Sequence, residues 1–398
     1  NDFVNQLWSI VESHMTTILD NEWFQLYLNS SSNNDDSEVN DDSDDKCQLS
    51  NLLSFLNVVT ELGLSYMKHL TKAMGKTKNK KQQTKSSESK SGESRTEDTQ
   101  NDGVKRDVVA NEHFLKSAVL LHDLLLILNA TEEGVKLQSK ISLLCESIYL
   151  SFPDNDTACD TVPNTIVYLL SESLLLSAKK TIVKRVYKMR SALDLLEYSE
   201  STILQDILMR TVISPLYLST KEGIKFLAYA FNVDPSLPPL FHSAIVPQIP
   251  QADENTVSAL GDLYFRSWKG AQSQTLLQIE HNCIQDLMFH AIHARNSKLF
   301  ANLRLILNHF HSQKNQARVD EMLLRLYEPI LFRSLNVANS VVRRNATCLF
   351  VDAFPLRDPE LNREDSENLL QKQIGLLREV LMDECPLVRI AALEGLCK

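Results

Sequence analysis

The sequence predicts an all-α fold, and three observations carry that prediction. Leucine supplies 62 of the 398 residues and glycine only 10, a balance that favours helices over Gly-rich nucleotide folds, barrels and sandwiches. Apolar residues recur at helical period in stretches of about 10–22 residues, broken by short runs of Pro, Asn, Asp or Ser. No stretch keeps a strand-like alternation between turn signals.

In chain order the pattern predicts helices over 3–28, 49–71, 109–129, 134–151, 164–178, 180–197, 201–213 and 220–231. It continues with 238–246, 254–270, 272–294, 297–311, 316–336, 339–353, 367–383 and 386–397. Pro163, Pro215, Pro235, Pro238, Pro239, Pro247 and Pro250 fall at the proposed edges, where a missing N–H costs least. Two segments break the pattern. Residues 29–46 carry seven acids, one Lys and a single apolar residue, Val39. Residues 72–107 carry ten Lys/Arg against six Asp/Glu and are nearly free of apolar side chains. Such stretches bury too little surface to offset their ordering entropy. The expected organisation is therefore an N-terminal helix or helices over 1–28, an acidic disordered insert over 29–48 and a helix over 49–71. A basic, polar disordered insert follows over 72–108, then a continuous helical array over 109–398.

The formal net charge is −10. No run approaches 18 apolar residues, so no membrane-spanning helix is expected. The seven cysteines are scattered, odd in number and form no C-x-x-C pair, which argues against a zinc ribbon or disulfide framework and suits a reducing compartment. Matches such as Asn129-Ala130-Thr131 then read as chance. The chain opens on Asn1 with no signal peptide and ends in what reads as helix interior, so it is expected to be a piece of a longer protein.

An internal repeat decides how the helices assemble. Val341-Val342-Arg343-Arg344-Asn345-Ala346 is echoed by Leu387-Val388-Arg389-Ile390-Ala391-Ala392 at an offset of 46. The same offset carries Leu331 to Leu377 and Leu335 to Leu381. A period of 46 lies within the ~40–47 residues of HEAT repeats. Each unit has an apolar first helix, a polar turn and a second helix opening on V-R-x-x-A. Small Ala lets the pair close tightly, and the Leu face is covered by the next pair. The prediction is a curved α-solenoid of HEAT-like helix pairs. Arg343, Arg344 and Arg389 are read as structural, bonding the preceding turn or a neighbouring repeat.

Few residues carry a chemical signature. Gly75-Lys76-Thr77 mimics the end of a phosphate loop, but Leu70 stands where the first Gly belongs and no strand precedes it. His290 and His293 share a helical face, with His281, Cys283, His309 and His311 nearby in sequence. Their spacing supplies two convergent metal ligands at best, short of the three or four a zinc site needs. Neither a G-x-S-x-G elbow nor H-E-x-x-H occurs. No enzyme, cofactor, metal or small-molecule substrate is expected.

The most informative polar feature is the helix at 180–197. Ile182, Val186, Met189, Leu193 and Leu196 fall within about 80° of arc, and Lys180, Lys184 and Lys188 within a separate arc of about 80° roughly opposite. Lys179, Arg185 and Arg190 complete six cations without an acid over twelve residues. Two readings stand: a solvated helix face, or a cation row at phosphate spacing for sequence-independent, salt-sensitive binding of double-stranded DNA. Basic residues 76–90 would add loose phosphate contacts or a nuclear-import signal.

Several strings resemble the G-type HEAT-repeat subunits of condensin II. They are Leu263-Tyr264-Phe265-Arg266-Ser267-Trp268, Cys283 through His290, Arg325 through Leu331, and Asn345 through Pro359. The likeness is dense over 253–398 and less specific before. It implies a non-catalytic solenoid that binds the complex's kleisin subunit, meets the SMC heterodimer indirectly and associates with DNA during mitotic chromosome condensation in the nucleus. The alternative is a HEAT adaptor for protein partners alone, of the transport-receptor or phosphatase-scaffold type. The two inserts lie outside the resemblance.

Overall fold

The computed structural model describes residues 2–20, 43–87, 111–128, 131–196, 198 and 202–397, the side chains of 43–46 and 75–87 excepted. Every regular element among the described residues is a helix. The chain divides into two compact units, 1–169 and 170–398.

The first unit holds α1 (Asp2–Leu19), α2 (Ser43–Ser87), α3 (Glu112–Leu124) and α4 (Glu132–Ser151). Asn111 and Thr131 start α3 and α4 by accepting the free N–H groups of Phe114 and Gly134, the usual remedy for unpaired first-turn donors. α1 packs on α3 and α2 on α4. Trp8, Tyr66 and Phe114 form an aromatic cluster with centroids 4.8–5.9 Å apart, Phe114 meeting the other two rings edge-on. A Cβ at Gly63 would lie 2.9 Å from Leu144, so glycine sets the close approach of α2 and α4.

The limits of α2 correct the sequence reading. Residues 43–48 and 72–87, expected to belong to the two inserts, are helical. Met67 is the last buried residue among the described side chains of α2, which end at Met74, and local propensity favours the helix beyond it. Lys, Gln, Ala and Met, which are good helix formers, make up most of the run, and Gly75 weakens it most. The remainder of both expected inserts, and residues 21–28 of the expected N-terminal helix, lie outside the described residues.

α5 (Pro163–Ser173) spans the boundary between the units. The second unit continues with α6 (Lys180–Lys188), α7 (Thr202–Val212), α8 (Lys221–Ala230), α9 (Leu237–Ile245) and α10 (Glu254–Gly270). A short helix, Ser273–Gln278, runs through a π-helical stretch, Ile279–Ile284, into α11 (Gln285–His293). Then come α12 (Ser297–His311), α13 (Ala317–Tyr327), α14 (Ser340–Ala353), α15 (Arg363–Leu381) and α16 (Pro386–Leu396). Within this unit α6, α8, α10, α12, α14 and α16 each pack on the next in the series, forming one layer. α7 and α9, with the π-helical stretch and α11, form a second layer. Contacts of this nearest-neighbour kind define a solenoid of helix pairs.

The repeat is visible atom by atom. Arg343 donates through Nη1 to the carbonyls of Val337 and Ala338, six and five residues upstream. Arg389 donates through Nη1 to the carbonyls of Asp383 and Glu384, again six and five upstream. Each Arg thus closes the turn that precedes its own helix. Other orphan carbonyls are taken up across the stack. Arg318 reaches Trp268, Lys269 and Ala271 at 2.9–3.3 Å while lying 4.8 Å above the Trp268 ring. Asn345 reaches Ala291, Ile292 and Ala294. Helix ends buried between repeats would otherwise leave these acceptors unpaired.

Buried histidines tie the stability of this unit to pH. His311 is enclosed, with Nε2 2.9 Å from the Tyr327 hydroxyl and Nδ1 unpartnered. Burial pushes its pKa down to about 4, with Arg304 and Lys314 acting the same way and Asp352 against them. His242, between Tyr264 and Asp286, is also lowered, by burial. A histidine whose folded pKa lies below its unfolded value of about 6.5 is neutral when folded but takes up a proton on unfolding. Its contribution is complete above about pH 6.5 and is lost as pH falls toward about 4. His311 alone should remove about 3 kcal/mol over that range. Urea unfolding between about pH 7 and about pH 4.5 checks this: His311→Gln should flatten the pH dependence, and parallel curves would exclude the assignment.

Candidate nucleic-acid interface

α6 is nine residues, KTIVKRVYK, with Val183 and Val186 buried. A 3-10 turn, Arg190–Leu195, follows it and buries Ala192 and Leu193. The single helix expected over 180–197 is therefore two elements. Of the expected inward face, Val186, Met189 and Leu193 are buried while Ile182 and Leu196 are half-buried; Val183 is buried beside Val186, and the tighter turn brings Ala192 inside next to Leu193.

Lys179, Lys180, Lys184 and Lys188 are exposed, and Arg185 is half-buried. Among the described residues none of these four lysines forms an ion pair. Arg190 leaves the row: its guanidinium lies 4.7 Å above the Tyr187 ring and 6.0 Å from that of Tyr229, and Nη1 donates to the Tyr187 carbonyl. The structure thus presents Lys180, Lys184 and Lys188 together, with Lys179 at the start, and turns Arg190 into the packing.

The start of α6 works against its own stability. Lys179 is the N-cap and makes no side-chain cap bond, Lys180 follows, and the first turn has no acid. Cations beside the positive end of a helix dipole oppose it by roughly 0.3–1 kcal/mol each. Helix formation does not account for this placement. An anionic group placed there would meet the cations and the free N–H groups together.

The other sequence candidates disperse. His281 bonds Gln285, His290 lies 3.9 Å from Asp286, and His293 donates from Nδ1 to the Phe289 carbonyl with its ring against that of Phe289. Cys283 and His311 are buried, each with its own partner. Among the described residues no three His, Cys, Asp or Glu side chains gather into a metal-holding group. Sequence reasoning missed the polar bonds that position the helices, Arg318 and Asn345 among them, because their acceptors lie about 50 residues away on backbone atoms.

Residues 210–358 match the family described as Condensin II non structural maintenance of chromosomes subunit. The chain is 35% identical to condensin-2 complex subunit G2 of Mus musculus over 299 residues, 73% of this chain and 26% of that protein. It is 36% identical to the Homo sapiens subunit over 292 residues, 72% and 25% of the two chains. With the Xenopus laevis subunit it shares 39% over 233 residues, 58% and 20%. The chain belongs to this family. It spans about a quarter of the length of these condensin-2 relatives. The condensin II family match starts at 210, earlier than the 253 read from the strings, and takes in α8 through α14. The cation row of α6 lies before the matched stretch.

Proposed function

We propose that this chain is part of a non-catalytic condensin II subunit that binds the kleisin and, sequence-independently, double-stranded DNA on chromosomes in the nucleus. The SMC heterodimer is then met through the kleisin. Family membership and the stacked helix pairs support the kleisin half, because a stack of repeats offers an extended peptide a long continuous surface. The observation that carries the DNA half is the exposed row Lys180, Lys184 and Lys188 with Lys179 at an uncapped helix start. Arg185 borders this row, and Arg190 holds its end through Tyr187 and Tyr229.

The test has two arms. Pull-down against kleisin segments should retain one of them; retention of none would sink the kleisin half. DNA titration of the chain with that segment, across salt concentrations, should show a falling affinity. Reversing the row with K180E/K184E/K188E should weaken every DNA sequence equally and flatten the salt slope by about 3. An unchanged slope would remove α6 from the interface and favour an adaptor that binds proteins alone.

A further inference from the structure

The layer that contains α6 places a second lysine row beside the first. α8 packs directly on α6. Its buried residues are Gly223, Phe226, Leu227 and Ala230, while Lys221 and Lys225 are exposed. Neither lysine forms an ion pair among the described residues. Arg190, just past the end of α6, lies 6.0 Å from the ring of Tyr229, the penultimate residue of α8. The Tyr229 hydroxyl also donates to Asp194 in the turn after α6. The C-terminal ends of the two helices therefore adjoin, and the helices run parallel.

That fixes the relation of the two rows. With Tyr187 and Arg190 level with Tyr229, Lys184 stands level with Lys225 and Lys180 with Lys221, to within a turn. Around each helix at 100° per residue, the lysines lie on the side of the seam away from the buried residues, so both rows face outward from the same layer. Lysines four apart are separated by about 6 Å along each helix, and packed helices stand about 8–10 Å apart. Among the described residues, α6, the turn after it and α8 carry two carboxylates. Asp194 is engaged by Tyr229, and Glu222, half-buried, lies on the seam side of α8.

We infer that Lys221 and Lys225 complete a two-row cation face that selects duplex DNA over single strands. The inference rests on the DNA reading of α6 given above. A duplex offers two phosphate rows flanking a groove, whereas a single strand offers one. One lysine row serves both ligands, and only a duplex fills two.

The experiment compares a short duplex with a single strand of the same sequence, titrated into the chain at several salt concentrations. K221Q/K225Q neutralises exposed helix positions with a residue of similar helix propensity, and far-UV circular dichroism confirms the fold. The duplex salt slope should fall by about 2, the single-strand slope should change by less than half of that, and the duplex-to-single-strand affinity ratio should drop. If K180E/K184E/K188E weakens duplex binding but K221Q/K225Q leaves it unchanged, this inference fails and the α6 reading stands. Equal losses on duplex and single strand also overturn it. If neither variant alters duplex binding, both readings fall.

Discussion

Arg343→Leu is expected to destabilise the chain by about 3–5 kcal/mol, the range for removing one partner of a buried ion pair. Nε and Nη2 of Arg343 bind the two carboxylate oxygens of Asp383 at 2.7 and 2.9 Å, and Nη1 holds the carbonyls of Val337 and Ala338. The two side chains are 15% and 10% exposed, so water replaces little of what is lost. Asp383 sits in the turn before α16, so this fork joins α14 to the following repeat. Arg389→Leu serves as the comparison. It loses two backbone carbonyl bonds and no carboxylate, and should cost about 1–3 kcal/mol. Equal losses for the two variants would show that the fork adds nothing beyond closing a turn. The hydrogen bond from Arg343 holds the Asp383 carboxyl below the usual carboxylate range. A depressed folded pKa gives stability that is present above the unfolded value of about 3.9 and lost as pH falls through the lower folded one. The ion-pair part of the Arg343→Leu penalty should therefore shrink as pH falls below about 4, while the part from the two carbonyls stays, which urea unfolding at acid and neutral pH reads directly.

Arg325→Leu should have a comparable effect, about 3–5 kcal/mol, for a different reason. Glu280 lies in the π-helical stretch with its side chain 2% exposed, accepting from Trp268 Nε1 at 2.9 Å and from Arg325 Nη1 at 2.8 Å. Arg325 is 43% exposed. The arginine can be hydrated when its partner is lost, but the carboxylate cannot. Glu280→Gln, which keeps an acceptor for the tryptophan and removes the buried charge, should cost only about 1 kcal/mol. Adding Glu280→Gln to Arg325→Leu should recover most of the loss. Thermal and urea unfolding of the two single variants and the double variant measure this as a coupling energy. Additive losses would show that Glu280 is not left stranded.

Much of the second unit was legible from residue order. The helices at 254–270 and 297–311 follow from apolar period, and in the structure Asp253 and Asn296 cap them. The 46-residue echo placed Arg343 and Arg389 on their turns. The outward lysines of α6 were readable from spacing because a nine-residue helix keeps one phase. Less was legible where local geometry shifts phase without a marker. The 3-10 turn after Lys188 brought Ala192 inside beside Leu193 and left Leu196 half-buried, and the basic stretch 72–87 stayed helical with none of its described side chains, 72–74, buried to announce it.

Residue order by itself determined the element type, the pairwise repeat and the charge segregation of α6, since each is set by neighbours within a few turns. Only the tertiary structure decided that Glu280 meets Arg325, that Asn345 closes α11, and that Lys221 and Lys225 stand beside Lys180 and Lys184. Those pairings join residues about 40 to 55 positions apart, and packing of one repeat on the next brings them together. A local pattern specifies which face of a helix is polar, but only its neighbour in the layer determines what that face adjoins.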